Sequence, residues 1–123
     1  MATLGDRVFD AGLTALDTEA NRLDICSQEP ATFTEATVTY TLGNKTSLSV
    51  GAPADRTGGG REVEVAAITD GEVTDTDTAT HWAITDTVNS RLLATGALSA
   101  SQAVTDGNTF TLAAFKIGIP DPA

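Results

Sequence analysis

The chain has 123 residues, a formal net charge of −10 and one cysteine, with 41% hydrophobic and 20% charged residues. This is the composition of one globular domain with a modest core, and not of a disordered chain. So acidic a surface, with seven scattered basic residues, repels phosphate backbones and so argues against nucleic-acid binding, and it disfavours anionic membranes.

The lone Cys26 rules out an intrachain disulfide and a thiolate metal cluster. No apolar run approaches the ~20 residues of a membrane span. The first residues form neither a basic nor an apolar signal region, so synthesis in the cytosol without a signal peptide is expected. Aromatics are 5%, so Val, Ile, Leu and Ala must supply most of the core. Thr, the commonest residue, favours strands because its β-branch packs well on a pleated surface.

Residues 4–17 read as the single helix. Leu4, Val8, Ala11 and Ala15 form one stripe, with Phe9, Leu13 and Leu16 beside it. Thr3 and Asp6 have the spacing of a capping box. Gly12 lies within the segment and suggests a close approach by another backbone.

Residues 22–27 alternate as a strand, Leu23 and Ile25 facing one way, Asp24 and Cys26 the other. Residues 28–37, with Pro30, read as an ordered loop. Strands are expected over 38–42 and 47–50, split by a turn at Gly43-Asn44.

The Gly- and Pro-bearing stretch 51–60 reads as a mobile loop crossing between two halves of one domain. Residues 61–69 alternate, with Val63, Val65 and Ala67 on one face, and Asp70-Gly71 signals a hairpin. Strands follow over 72–76, 79–85 and 91–95, then a turn at Asp106-Gly107-Asn108 and a strand over 109–115. A phase change at Ala113-Ala114 suggests a bulge before Ile117 and Ile119.

Turns at this spacing predict a mainly β, β-sandwich-like two-sheet domain with one N-terminal α-helix. The whole of 1–123 is read as a single domain: arm and helix over 1–20, β domain over 21–119, tail over 120–123. The helix is expected over one open end or edge.

Few residues offer chemistry. His81 is the only histidine and Trp82 the only tryptophan. As neighbours on a strand they point to opposite faces and cannot share a site. Trp82 alternates with Thr80 and Ile84, which suggests the core, with an interface anchor as the other reading. Asp70, Glu72, Asp75 and Asp77 form an acidic cluster without the spacing of a calcium loop. Gly58-Gly59-Gly60 lacks the Lys-Ser/Thr ending of a phosphate loop. Cys26 has no base or positive field beside it in sequence and reads as structural. No catalytic, cofactor or metal residues are assigned, and an enzyme is not expected.

Two stretches carry a resemblance. One is Asp6–Asp10 followed by Ala20–Pro30 and Thr34–Thr37. The other is Gly71, Thr80–Asp86, Arg91–Gly96, Gly107–Phe110 and Ile117–Pro120. Together they resemble small virion structural proteins of tailed bacteriophages, and in size and character the chain is similar to head decoration (cement) proteins. The resemblance implies a protein that binds major capsid protein subunits on the outer capsid surface, commonly as homotrimers at three-fold positions, without cofactor. The residues 1–5 and 118–123 are the expected reaching elements. A tail or head–tail connector component, and a receptor- or carbohydrate-binding β-module, remain alternatives.

Overall fold

A computed structural model describes residues 5–120. Its elements in chain order are α1 (Asp6–Glu19), β1 (Arg22–Cys26), a π-helical turn (Glu35–Thr39), β2 (Thr41–Thr46), β3 (Ala54–Asp55), β4 (Arg61–Val65), β5 (Ile68–Val73), β6 (Asp77–Asp86), β7 (Arg91–Val104), β8 (Thr109–Leu112) and β9 (Phe115–Ile119). The chain is mainly β with one N-terminal helix, as its alternation predicts. A six-stranded sheet, ordered β7-β6-β1-β2-β5-β8, faces a three-stranded one, β3-β4-β9. Among the described residues the strand pairings are all antiparallel.

The large sheet cannot be flat. Its edge strands β7 and β8 are joined by residues 105–108 alone. Five spacings of ~4.8 Å would set the edges of a flat six-stranded sheet about 24 Å apart, beyond the ~18 Å that this connection spans fully extended. The connection is in fact a compact turn, Gly107 having φ 90° and the Asn108 N–H donating to the Thr105 carbonyl at 3.0 Å. The sheet therefore curls into a half-barrel.

The two sheets share one bent ribbon. β5 pairs with β8 at Ile68↔Leu112, and β4 pairs with β9 at Val65↔Phe115. Between those pairs lie Ala66-Ala67 on one strand and Ala113-Ala114 on the other. These four exposed alanines mark the corner where the ribbon leaves one sheet for the other. The phase change expected at Ala113-Ala114 is real, but it is this change of sheet and not a bulge.

The core lies between the sheets, where Leu23, Ile25, Val63, Val65, Ile68, Val73, Ile84 and Phe110 are buried. The helix closes it from the side of β4, inserting Phe9, Leu13 and Leu16. The stripe read through Val8, Ala11 and Ala15 is thus not the packed one, since Val8 is 59% exposed. Its neighbour stripe wins because Phe9 and Leu13 bury far more apolar surface than two alanines. Leu4 and the Thr3 member of the capping box lie outside the described residues. The helix starts from Gly5 without a side-chain cap. Gly12 meets the side chain of Ile119, at 3.8 Å from an added Cβ, and not another backbone.

Several turn signals point elsewhere. Gly43-Asn44 lies inside β2, and Asp70-Gly71 inside β5. Both glycines make room for neighbours. The Glu72 carbonyl and Val73 Cα occupy the space a Cβ would take at Gly43, and the Phe110 ring occupies it at Gly71. Residues 47–49 are not a strand, and Val50 forms only an isolated bridge to Val65. Ala67, expected beside Val63 and Val65, is exposed at the corner.

The stretch 51–60 is ordered, not a free crossing loop. β3 pairs with β4, and the tip is tied by Arg56 N–H to the Gly60 carbonyl and Gly59 N–H to the Arg56 carbonyl, both 3.1 Å. Gly58, Gly59 and Gly60 take φ of 91°, 104° and 89°, which only glycine adopts readily. Residues 38–39 are π-helical, so the strand read over 38–42 begins only at Thr41.

Replacing Gly43 by Ala drives a methyl into the β5 backbone. We expect a loss of about 1–3 kcal/mol in urea unfolding. Gly107→Ala, where a Cβ meets open space but φ is positive, serves as the comparison for backbone strain alone.

Candidate functional site

β1 is central, and its second face is buried as well as its first. The π-helical turn lies over that face. Cys26, Ala36 and Ala83 form a small second core beneath it, with Tyr40 and Leu92 alongside. This places the Asp24 carboxylate at 0% exposure. Arg22, two residues earlier on the same face, grips it through Nε–Oδ1 at 2.7 Å and Nη2–Oδ2 at 2.8 Å. The Thr41 hydroxyl donates to Oδ2 at 2.6 Å. Burial pushes the Asp24 carboxyl above the usual carboxylate range, against the pull of Arg22 and Thr41. The carboxylate is closed off from solvent, Arg22 keeping only its outer side open, and the pair acts as a structural clamp.

The only cysteine and the only histidine prove to be register partners, Cys26 on β1 opposite His81 on β6. Their separation of 55 positions hides this in the sequence. The juxtaposition does not make a nucleophile. The thiol is fully buried, and its hydrogen bond goes to the Ala36 carbonyl at 3.8 Å. Burial, with the nearby Asp24 charge, pushes it up to about 12. His81 is occupied too. The Thr80 hydroxyl donates to the Ser27 carbonyl at 2.9 Å, which leaves the imidazole Nδ1–H as donor to the Thr80 hydroxyl oxygen at 2.9 Å. Nε2 lies 3.9 Å from the Glu29 carboxylate. Together these contacts strap the 27–30 loop to β6.

Trp82 faces the other way, as strand alternation requires. It packs against the core and is partly exposed. Gly96 on β7 is its register partner, and an added Cβ there would sit 2.5 Å from the indole Cζ2, so only glycine admits the ring. The Phe115 ring is tilted against it, centroids 4.7 Å apart. Trp82 therefore packs on the core, as its alternation suggests, and its exposed part lines a cleft.

That cleft, about 700 Å³, runs between β7 from Gly96 to Gln102 and the chain from Thr111 to Lys116. It is the gap left where the half-barrel fails to close. The Gln102 amide reaches across it to the Thr111 carbonyl at 3.5 Å. Lys116 is its only charged lining residue, and its ammonium is paired with Glu62 at 3.0 Å. The sequence signal for the cleft is the near absence of charge from residue 92 to residue 115, broken only by Asp106.

The acidic residues do not converge. Asp70 pairs with Lys45 at 3.0 Å, while Asp75 and Asp77 each accept the N–H of the next residue, at 2.9 and 2.7 Å. Among the described residues no three His, Cys, Asp or Glu side chains are grouped to hold a metal ion. A further carboxylate, Asp86, is buried at 2% exposure and caps the turn after β6, accepting from Val88 and Asn89 N–H and from the Asn89 amide. Those donors hold it below the usual carboxylate range. Of the expected reaching elements, Gly118 and Ile119 are paired within the small sheet, and residues 1–4 and 121–123 lie outside the described residues.

No family model, curated protein or solved structure matches the chain.

Arg22→Met leaves the Asp24 carboxylate buried beside an apolar chain. We expect a loss of about 2–3 kcal/mol by urea denaturation, reduced from a fully buried pair because Arg22 keeps some solvent contact. Cys26 in the folded chain is expected to resist iodoacetamide at pH 8 by roughly 100-fold relative to the same chain in denaturant, followed by mass spectrometry. Equal rates would contradict the burial described.

Proposed function

We propose that the chain is a phage head decoration protein that binds the outer surface of the capsid and bridges major capsid protein subunits. The observation that carries this reading is the placement of charge. Arg22, Lys45, Arg61, Arg91 and Lys116, five of the seven basic residues, are paired with carboxylates of the same chain. Glu64, Glu72, Asp75, Asp77 and Asp106 stand exposed. With 17 Asp and Glu against 7 Lys and Arg, and most of those cations already paired within the chain, the surface carries an excess of negative charge. Such a surface is repelled by packaged nucleic acid and suits the outside of a shell.

The resemblance of the two sequence stretches supports the same reading. Pressure from a packaged genome pushes capsid subunits apart. A protein that binds only the assembled lattice adds its binding free energy to the closed shell, and repeated attachment makes modest contacts cumulative.

Particles purified with and without the chain provide the test. Images should place its density outside the head, bridging subunits. Particles lacking it should assemble but rupture at a lower temperature. Density in the tail, or failure of such particles to assemble, would overturn the reading.

A further inference from the structure

In the cleft beside Trp82, aromatic, amide and hydroxyl groups converge on a space of about 700 Å³, within the ~300–1,000 Å³ of ligand pockets. The tilted rings of Trp82 and Phe115 line it, and Gly96, Ala97 and Ala113 keep it open because their side chains are small or absent. The cleft is blind. The turn at 105–108 joins β7 to β8 at one end, and the Gln102 amide bridges to the Thr111 carbonyl. A peptide strand cannot run through it. Nor is β7 a regular template there, since Leu98–Ser101 have no partners on β6. The space suits a compact molecule.

The chemistry of the lining narrows the class of that molecule. Trp82 Nε1–H and the hydroxyls of Ser99 and Thr111 make no hydrogen bond among the described residues, and the Gln102 side-chain oxygen is likewise free. An apolar ligand would take these groups from water and leave them unpaired, at a cost for each. An anion would meet a chain of net charge −10 and a single lining cation, Lys116, already held by Glu62. A cation would find no carboxylate in the lining. These exclusions leave a neutral molecule with many hydroxyls and one apolar face to lie on an aromatic ring. A pyranose with equatorial hydroxyls has that form. Its axial C–H bonds make an apolar face, and its rim donates and accepts hydrogen bonds.

We propose that the cleft binds a neutral, gluco-configured sugar of one or two rings. One ring rests against the exposed part of the Trp82–Phe115 pair, and its hydroxyls exchange hydrogen bonds with Gln102, Ser99 and Thr111. The shell-binding reading needs neither the cleft nor a ligand in it, so either can fail alone.

So few contacts bind weakly, with a dissociation constant on the order of 1 mM. Trp82 is the only tryptophan, so its indole N–H gives a single, unambiguous resonance in the nitrogen-labelled full chain. Titration with cellobiose and with N,N′-diacetylchitobiose, each to about 20 mM, is expected to shift that resonance saturably with at least one of the two. Glucuronate, the anionic counterpart, should bind at least about tenfold more weakly. Gln102→Ala should raise the half-saturating concentration about threefold or more, and Ala97→Leu, which fills the cleft from an exposed position, about tenfold. Ala103→Leu, the same change on β7 outside the lining, should leave it within about twofold. Circular dichroism checks each fold, and Gln102→Ala carries the comparison should Ala97→Leu unfold. The proposal is overturned by no saturable shift with either neutral sugar, by an equal response to glucuronate, or by cleft variants that bind like Ala103→Leu. A shift produced instead by an uncharged, end-capped tetrapeptide of alanine and threonine would overturn it too.

Discussion

Residues 105–108 are the constraint on which the rest of the structure depends. They tie the first strand of the large sheet, in spatial order, to the last, and so short a tie forces the sheet to curl. The curl gives the core its closed side and brings Gln102 within reach of Thr111. It also sets the gap between β7 and the 111–116 segment, because edges drawn together by a turn at one end still diverge at the other. The ribbon bent at Ala66-Ala67 and Ala113-Ala114 then carries β4 and β9 away to build the facing sheet.

Charge is distributed as deliberately as shape. Most cations are paired with carboxylates of their own chain, and the two most deeply buried carboxylates are satisfied by different means. Asp24 has a guanidinium and a hydroxyl, Asp86 the donors of a turn. Neither lines the cleft. The cleft, in contrast, is lined almost wholly by uncharged groups. The polar chemistry of the molecule is spent on holding the fold, while its concave surface offers small side chains and strand edges.

Local alternation made much of the fold legible. Leu23 and Ile25, Val63 and Val65, and the Asp106–Asn108 turn could be read directly, because a strand with one face in a core must alternate. Glycine misled at Gly43 and Gly71. There it serves close packing, of the β5 backbone and of the Phe110 ring, and a sequence does not distinguish that use from a turn. The helix face was misassigned because two stripes share one segment and only the neighbouring sheet chooses between them. The burial of Asp24 depends on a cover supplied by residues 35–40. The meeting of Cys26 with His81 depends on strand order. Both are long-range facts with no local signature. The cleft left a trace, as a charge-poor stretch, though nothing in that stretch says that its two halves face each other.

The bent ribbon also governs how the molecule can be made. β4 and β5 emerge from a ribosome well before β8 and β9, the strands they pair with. Until those strands follow, an alternating apolar segment with open edges waits without its mate. Such vectorial synthesis delays completion of the fold until β8 and β9 have emerged, and makes folding slow for so small a domain because its decisive pairings join distant parts. During that interval the nascent chain is most exposed to aggregation, and its dense negative charge is what keeps neighbouring unfinished copies apart.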